Sequence, residues 1–104
     1  MKPVQSAFGK ALRWVRGARG IAQEEFDGVS SRTYVSTLER GVKQPTLTKI
    51  DSLAHVMQVH PLTLLTVSYC RTPSSAETTA LLAKVRAELD ALLEAAASNS
   101  QPTR

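Results

Sequence analysis

The spacing of apolar residues constrains the fold of this chain more than any other feature of its sequence. Val4, Phe8, Leu12 and Val15 recur at steps of three and four residues, which places them on one face of a helix. No long stretch alternates apolar with polar residues, as a half-buried β-strand would. Aromatic residues make up only 5% of the chain, which argues against a β-sandwich or barrel. The sequence therefore predicts an all-α protein.

Glycines and capping residues divide the first part of this pattern into three short helices. We expect Gly17 and Gly20 to end the first helix, and a short second helix to cover residues 21–27. Ser31 is a good N-cap for a third helix that stops before Gly41.

Two further helices complete the predicted domain. Thr46 follows a proline and can cap a fourth helix, whose buried side is expected to hold Leu47, Ile50, Leu53, Ala54 and Met57. A fifth helix begins at Pro61, since proline is favoured at the first helical position. Its core-facing residues are expected to be Leu62, Leu65 and Tyr69.

A change of composition near residue 71 predicts how the chain is organised. Residues 1–70 are expected to form one five-helix domain, and residues 71–75 a polar linker. Residues 76–97 are rich in alanine and leucine and predict a long C-terminal helix. The remaining residues, 98–104, are expected to be disordered.

Positive charge is concentrated in the first part of the chain. Residues 1–43 hold eight basic and four acidic side chains, whereas residues 44–104 hold five of each sign, so the whole net charge of +4 arises before residue 44. Such a distribution favours a polyanionic partner, because phosphates neutralised by lysine or arginine release condensed counterions. Charge alone is equally compatible with a basic protein that has no such partner.

The runs QEEF at residues 23–26 and SRTYVSTLERG at residues 31–41 carry a family resemblance. Together with the five-helix pattern around them, they make residues 5–69 similar to the helix-turn-helix transcription regulators of the Cro/phage-repressor type (the xenobiotic response element family). This resemblance implies a lambda-repressor-like DNA-binding domain followed by the long helix. It also implies a transcription regulator, in particular a repressor, that binds a pseudo-palindromic operator in double-stranded DNA as a homodimer.

The resemblance assigns base reading to the third helix, because a helix fits the major groove and reads bases with its N-terminal residues. The positions implied to read bases are Arg32, Thr33, Ser36 and Thr37. An arginine can donate two hydrogen bonds to guanine, and a threonine methyl can contact a thymine methyl. Val35 and Leu38, three residues apart, are expected to face the domain.

Other residues are implied to hold the DNA backbone or the helix itself. The phosphate contacts implied by the resemblance are Gln23, Ser31, Tyr34, Arg40 and Lys43. The ring of Tyr34 can alternatively pack against the domain. Arg16 and Glu39 are implied to form a structural ion pair between the first and third helices.

The chain departs from the family pattern at two places. The stretch from Gln23 to Leu38 is about two residues shorter than usual, so we expect the second helix or its turn to be truncated. Ala22 stands where the family has a capping serine or threonine, and Glu25 lacks the usual capping-box partner.

The C-terminal helix carries an apolar seam with a 3-4-3-4 spacing. Its members, which we expect to form the dimer interface, are Leu82, Val85, Leu89, Leu92 and Ala96. The alternative is that this helix folds back on its own domain as a sixth core helix.

Other classes of function have less support in the sequence. His55 and His60 show no metal-ligand spacing, and Cys70, the single cysteine, forms no intrachain disulfide. We therefore expect no enzyme activity, cofactor, metal or membrane partner, and a cytoplasmic location. The competing interpretation is an antitoxin-like or other interaction module that uses the same fold to hold a protein partner.

Overall fold

The computed structural model describes residues 4–99, and all secondary structure within this range is helical. Five α-helices and one 3-10 turn follow one another along the chain. The helices are α1 (Val4–Arg19), α2 (Arg32–Glu39), α3 (Leu47–Met57), α4 (Pro61–Tyr69) and α5 (Ser75–Asn99). The 3-10 turn covers Gln23–Phe26, between α1 and α2. The all-α prediction is confirmed.

Helix α1 runs past the first of its two predicted end points. Gly17 lies inside the helix, and the chain leaves it at Gly20, whose φ of 67° is in the left-handed region that glycine adopts without strain. The amide of Ile21 then donates to the carbonyl of Arg16 at 3.0 Å, which closes the helix end.

The second predicted helix is reduced to a single 3-10 turn, as the missing two residues led us to expect. Ala22 offers no side-chain acceptor at the start of this turn. The carboxylate of Glu25 still accepts the backbone N–H of Ala22 at 2.9 Å, so half of a capping box is kept. The fully buried ring of Phe26 anchors the turn in the core.

The caps of the following helices agree with the sequence. The hydroxyl of Ser31 accepts the N–H of Tyr34 at 3.0 Å, and that of Thr46 accepts the N–H of Lys49 at 3.1 Å. At the start of α4, Nδ1 of His60 accepts the N–H of Leu62 at 2.9 Å. Each bond satisfies a backbone donor that a helix N-terminus otherwise leaves without a partner.

The predicted core was wrong at the first turns of α3 and α4. Leu47 and Leu62 are largely exposed, and so is Tyr69 at the end of α4, while Leu65 is only half-buried. The buried residues of α4 are instead Leu64, Val67 and Ser68. Residues two apart on a helix lie about 200° apart around its axis, so the burial of Leu64 turns Leu62 to solvent.

Helices α1 and α2 touch through their backbones at Gly9. A Cβ at this position would overlap the carbonyl oxygen of Leu38 and would lie 2.8 Å from the carbonyl oxygen of Glu39. Only glycine therefore allows α1 to cross the C-terminal end of α2 at this distance. The sequence pattern gave no indication of this contact.

Helix α5 projects from the domain instead of packing into its core. None of its described residues is buried, and α4 is the only other described element that it contacts. Its start is fixed, because the hydroxyl of Ser74 accepts the N–H of Glu77 at 3.1 Å and the Glu77 carboxylate accepts the N–H of Thr72 at 3.0 Å. The alternative of a sixth core helix is therefore wrong.

The bounds of α5 also extend the predicted ones at both ends. The helix begins at Ser75, which we had assigned to the linker, and it includes Ser98 and Asn99, which we had assigned to a disordered tail. The rest of that tail, residues 100–104, lies outside the described residues. Within residues 4–99, no helix combines the length and the hydropathy needed to cross a bilayer.

Candidate DNA-binding surface

The candidate surface is built on α2, which has a buried back and a polar front. Val35 and Leu38 are completely buried in the core of the domain. On the front of the helix, Arg32 and Thr33 are exposed, and Ser36 and Thr37 are half-buried. The structure thus brings the four residues predicted to read bases onto one short helix, whose apolar residues fix it to the domain.

Arg32 stands at the first position of α2, where a side chain can extend beyond the helix. Its Nη1 lies 3.7 Å from the carboxylate of Glu24, and both side chains are more than half exposed. Ion pairs of this kind contribute little, because water and salt screen them. The pair therefore opposes the transfer of the guanidinium to a base only weakly.

Two of the front hydroxyl groups already have backbone partners. The Thr37 hydroxyl donates to the carbonyl of Tyr34 at 2.7 Å, so toward a base it can act only as an acceptor or through its methyl group. The Ser31 oxygen accepts the Tyr34 N–H, and its hydroxyl hydrogen is the part that can donate to a phosphate.

The predicted ion pair between Arg16 and Glu39 is present and joins α1 to the end of α2. Nε and Nη2 of Arg16 donate to the two carboxylate oxygens of Glu39 at 2.6 and 3.1 Å. The Glu39 side chain is only 6% exposed, so this is a largely dry contact. The hydrogen bonds to Glu39 raise the pKa of Arg16 above its ordinary value, against the opposing effect of burial. The guanidinium is therefore always charged here.

The same carboxylate also holds the 3-10 turn. The Gln23 amide donates to Oε1 of Glu39 at 3.0 Å, and Nη1 of Arg16 donates to the carbonyl of Ile21 at 3.0 Å. Gln23, which we predicted to contact phosphate, thus belongs first to the Glu39 network. Its amide nitrogen carries two hydrogens, so a second bond to a phosphate stays compatible with the first.

The predicted cationic contacts lie where α2 ends. Arg40 and Lys43 are exposed on the segment that follows the helix. Gly41 has a φ of 75°, which turns the chain sharply away from α2 at this point. The two side chains are therefore placed at the edge of the front face, the position expected for contacts that set register on the DNA backbone.

Lys49 is a residue of this surface that sequence reasoning missed. Its Nζ donates to the carbonyl of Val29 at 2.7 Å, in the turn that leads into α2. The same ammonium lies 5.4 Å from the centre of the half-buried Tyr34 ring, within cation–π distance. Lys49 thus ties the turn and α2 to α3. In the sequence it looks like any lysine on the solvent side of a helix, so no signal could have identified it.

Comparison with known proteins places this geometry in context. The family model described as helix-turn-helix matches residues 12–64, which include α2, the 3-10 turn and α3. Among solved structures, the chain is similar to the clp gene regulator ClgR from Corynebacterium glutamicum, with 27% identity and a TM-score of 0.62. That similarity covers 91% of this chain and 95% of the other. No curated protein matches the chain significantly. Together these matches support a DNA-binding transcription regulator.

Proposed function

This chain belongs to the helix-turn-helix family of the Cro/phage-repressor type, and we propose that it is a repressor that binds a pseudo-palindromic operator as a homodimer. In this proposal α2 enters the major groove and reads bases, while the surrounding cations hold the phosphates. The observation that carries the proposal is the construction of α2. Its back is completely buried, its polar front faces outward, and its C-terminal end is tied to α1 by Arg16 and Glu39.

Base reading is assigned to the front of α2. In this assignment the exposed Arg32 donates two hydrogen bonds to O6 and N7 of a guanine, and Thr33, Ser36 and Thr37 contact neighbouring bases. A rigid support matters for such contacts, because a reading helix that can tilt loses the geometry of a bidentate bond. Lys49 supplies that support near the start of α2, and the Glu39 network supplies it at the C-terminal end.

Phosphate binding is assigned to the edge of the same face. Arg40 and Lys43 are the principal cations there, with Ser31, Tyr34 and Gln23 as neutral donors. These contacts set the register of the domain on the duplex without distinguishing sequences.

Dimerisation is assigned to the apolar seam of α5. Leu82, Val85, Leu89 and Leu92 are all substantially exposed, and Ala96 continues the same face. A contiguous apolar stripe of this length favours association with another molecule. A symmetric dimer would present two copies of α2 to half-sites about 34 Å apart. Occupancy of an operator that overlaps a promoter would then be enough to repress transcription.

The proposal is tested by selecting bound duplexes from a random pool and measuring the affinity of the winners at several salt concentrations. We expect a pseudo-palindromic sequence, and an affinity that falls steeply with salt, by about 0.9 logarithmic unit per phosphate contact for each tenfold increase. Failure to enrich any sequence, with only weak salt-sensitive binding, would contradict sequence-specific operator binding.

That failure would favour the second candidate function, an antitoxin-like module that holds a protein partner. The observation behind this candidate is again the exposed seam of α5, since an apolar stripe can pack on a different protein as well as on a second copy. The sign of charge on α2 argues for DNA, because Arg32, Arg40 and Lys43 surround its front face.

A further inference from the structure

A second apolar surface of the domain is a groove between α1 and the segment that joins α4 to α5. Its volume is about 860 Å³, and its walls include Lys10 and Trp14 of α1, Tyr69 at the end of α4, and Cys70, Arg71 and Pro73 of the joining segment. The Trp14 side chain is 51% exposed and that of Tyr69 67% exposed. Two large aromatic residues left open in one concave surface are typical of a binding site for an apolar partner.

The charged residues that line this groove are both positive, and the Glu77 carboxylate, which accepts the N–H of Thr72, lies beside it. Lys10 lies on one side and Arg71 on the other, and both are exposed. An occupant should therefore be an apolar element with acidic flanks.

The C-terminal half of α5 has this character. Residues 87–99 carry Glu88, Asp90 and Glu94 and no basic residue, and Leu92 and Leu93 stand exposed among them. The partial negative charge at the C-terminal end of the helix adds to the attraction for a basic rim.

The charges of α5 also favour one direction of pairing over the other. Residues 87–99 carry a net charge of −3, whereas residues 75–86 carry Glu77, Lys84 and Arg86, a net charge of +1. Two parallel helices would place the two acidic halves side by side. Two antiparallel helices would place each acidic half beside the positive half of its partner, which lowers the repulsion.

We propose that the α5 helices of two copies run antiparallel, and that the C-terminal turns of each lie at the groove between α1 and the joining segment of the other copy. This inference rests on the proposed homodimer and specifies how its two chains engage. The seam would then contact the partner's helix at Leu82, Val85, Leu89 and Leu92, and Ala96 would lie next to the partner's groove.

The dimensions of α5 fit this arrangement. Its 25 residues span about 37 Å, so full antiparallel overlap sets the last turns of one helix beside the first turn of the other. That first turn begins at Ser75, two residues after the wall of the groove at Pro73. The end of a helix cannot reach the groove at its own base, so an α5 that fills this groove has to come from a second copy.

The single cysteine of the chain, Cys70, lines the groove and provides the test. We would introduce Ala96→Cys, leave Cys70 in place, and oxidise the protein under mild conditions. Burial and the nearby Glu77 carboxylate raise the pKa of the Cys70 thiol, so the oxidation is run at alkaline pH. We expect a covalent dimer whose disulfide maps to positions 70 and 96 of different chains, and its loss when Cys70→Ser is added.

Control variants distinguish a disulfide that reports antiparallel helices from one that forms by random collision. Ala91→Cys places a thiol on the opposite side of α5 and should give no covalent dimer, and neither should the unmodified chain. Leu93→Cys places the thiol about one turn before position 96, and it repeats the test in case the two helices pair one turn out of the expected register. A covalent dimer that persists with Cys70→Ser would join positions 96 of two parallel helices and would overturn the inference.

Light scattering distinguishes failure of this inference from failure of the proposed homodimer. A dimer without any disulfide to Cys70 at either position would overturn the groove contact and leave the homodimer standing. A monomer at all concentrations would overturn both.

Trp14 gives a second readout that needs no substitution. It is the only tryptophan of the chain, so its emission reports the groove directly. We expect the emission to shift to longer wavelength as dilution dissociates the dimer and water enters the groove. An emission that stays constant through a dissociation seen by light scattering would contradict the inference.

Discussion

Helices α2 and α5 have the same kind of apolar spacing, but the apolar face of α2 is buried in the domain and that of α5 is exposed to solvent. In α2 the two apolar residues of the pattern, Val35 and Leu38, are 0% exposed. In α5 the seam residues Leu82 and Leu89 are 52% and 47% exposed, although they too recur at helical steps. The spacing therefore determines which face of a helix is apolar, and it leaves open whether that face packs within the chain or on another molecule.

The two helices are also stabilised in different ways. With eight residues, α2 is too short to persist alone, and it depends on its Ser31 cap, the Glu39 network and Lys49. With 25 residues, α5 has higher intrinsic helicity and two pairs between successive turns, Lys84 with Glu88 at 3.4 Å and Arg86 with Asp90 at 3.2 Å. Tertiary contacts thus fix α2 in place, whereas the apolar seam of α5 stays exposed.

Among the variants that test this comparison, Gly9→Ala is expected to have the largest effect on the stability of the domain. Its new Cβ would collide with the backbone of α2, which cannot rotate away, so we expect a loss of about 3 kcal/mol in the free energy of unfolding. Chemical denaturation measures it. The matched control is Gly17→Ala in the same helix, where nothing lies within 4 Å. That change should be neutral or stabilising by up to about 1 kcal/mol, and equal losses for both variants would disprove the close crossing.

Removal of the Glu39 carboxylate tests the network that holds α2. Glu39→Leu leaves Arg16 charged and partly buried without its partner, so we expect a loss of about 2–3 kcal/mol in unfolding free energy, measured by denaturant titration. The double variant Arg16→Met with Glu39→Leu should lose less, because it leaves no charge unpaired. A double variant less stable than the single one would show that the pair contributes mainly by its own attraction.

Leu89→Asp tests the second helix of the comparison, through the exposed seam of α5. The new carboxylate falls in the middle of the seam, so we expect the dimer Kd to rise by a factor of about 30 or more, as light scattering against concentration would show. The thermal unfolding of the domain should not change, because Leu89 has no buried contact within its own chain. Ala91→Asp, on the opposite side of α5, is the control. A fall in the Tm of the domain with Leu89→Asp would mean that α5 stabilises its own domain after all.

Among the variants expected to destabilise the domain, Lys49→Met should have the smallest effect. It removes the bond to the Val29 carbonyl and the contact with Tyr34, and we expect a loss of about 1 kcal/mol together with weaker operator binding. Lys43→Met should weaken DNA binding and its salt dependence without any change in stability, since Lys43 is exposed. If the two variants behave alike in both assays, Lys49 does not position α2.

Local signals in the sequence were enough for most of the fold. The caps at Ser31 and Thr46 indicated where two helices begin, because each supplies an acceptor to a helix N-terminus, and Pro61 indicated the start of α4. The truncated 3-10 turn followed from a deletion of two residues. The Arg16–Glu39 pair, by contrast, joins residues far apart in the chain, and only the family resemblance indicated it.

The predictions that failed depended on contacts between elements. Leu62 and Leu64 are both apolar, and only the position of α1 against α4 decides which is buried. In the sequence Gly9 looks like an ordinary helical glycine, and its importance appears only when α2 is packed against it. Lys49 likewise looks like an ordinary surface lysine, and its role appears only from its bond to the Val29 carbonyl. Such residues are recognised from tertiary geometry, since neither spacing nor residue type marks them.

The base preference of the Arg32→Ala variant tests the proposal that α2 reads bases through Arg32. With the selected operator and each of its single-base variants, we predict a loss of about 1–3 kcal/mol in discrimination at one base pair per half-site, with the other positions retained. Glu24→Ala, which removes only the neighbouring carboxylate, should keep that discrimination. If Arg32→Ala left both affinity and the whole profile of base preference unchanged, α2 would not be the helix that reads the DNA.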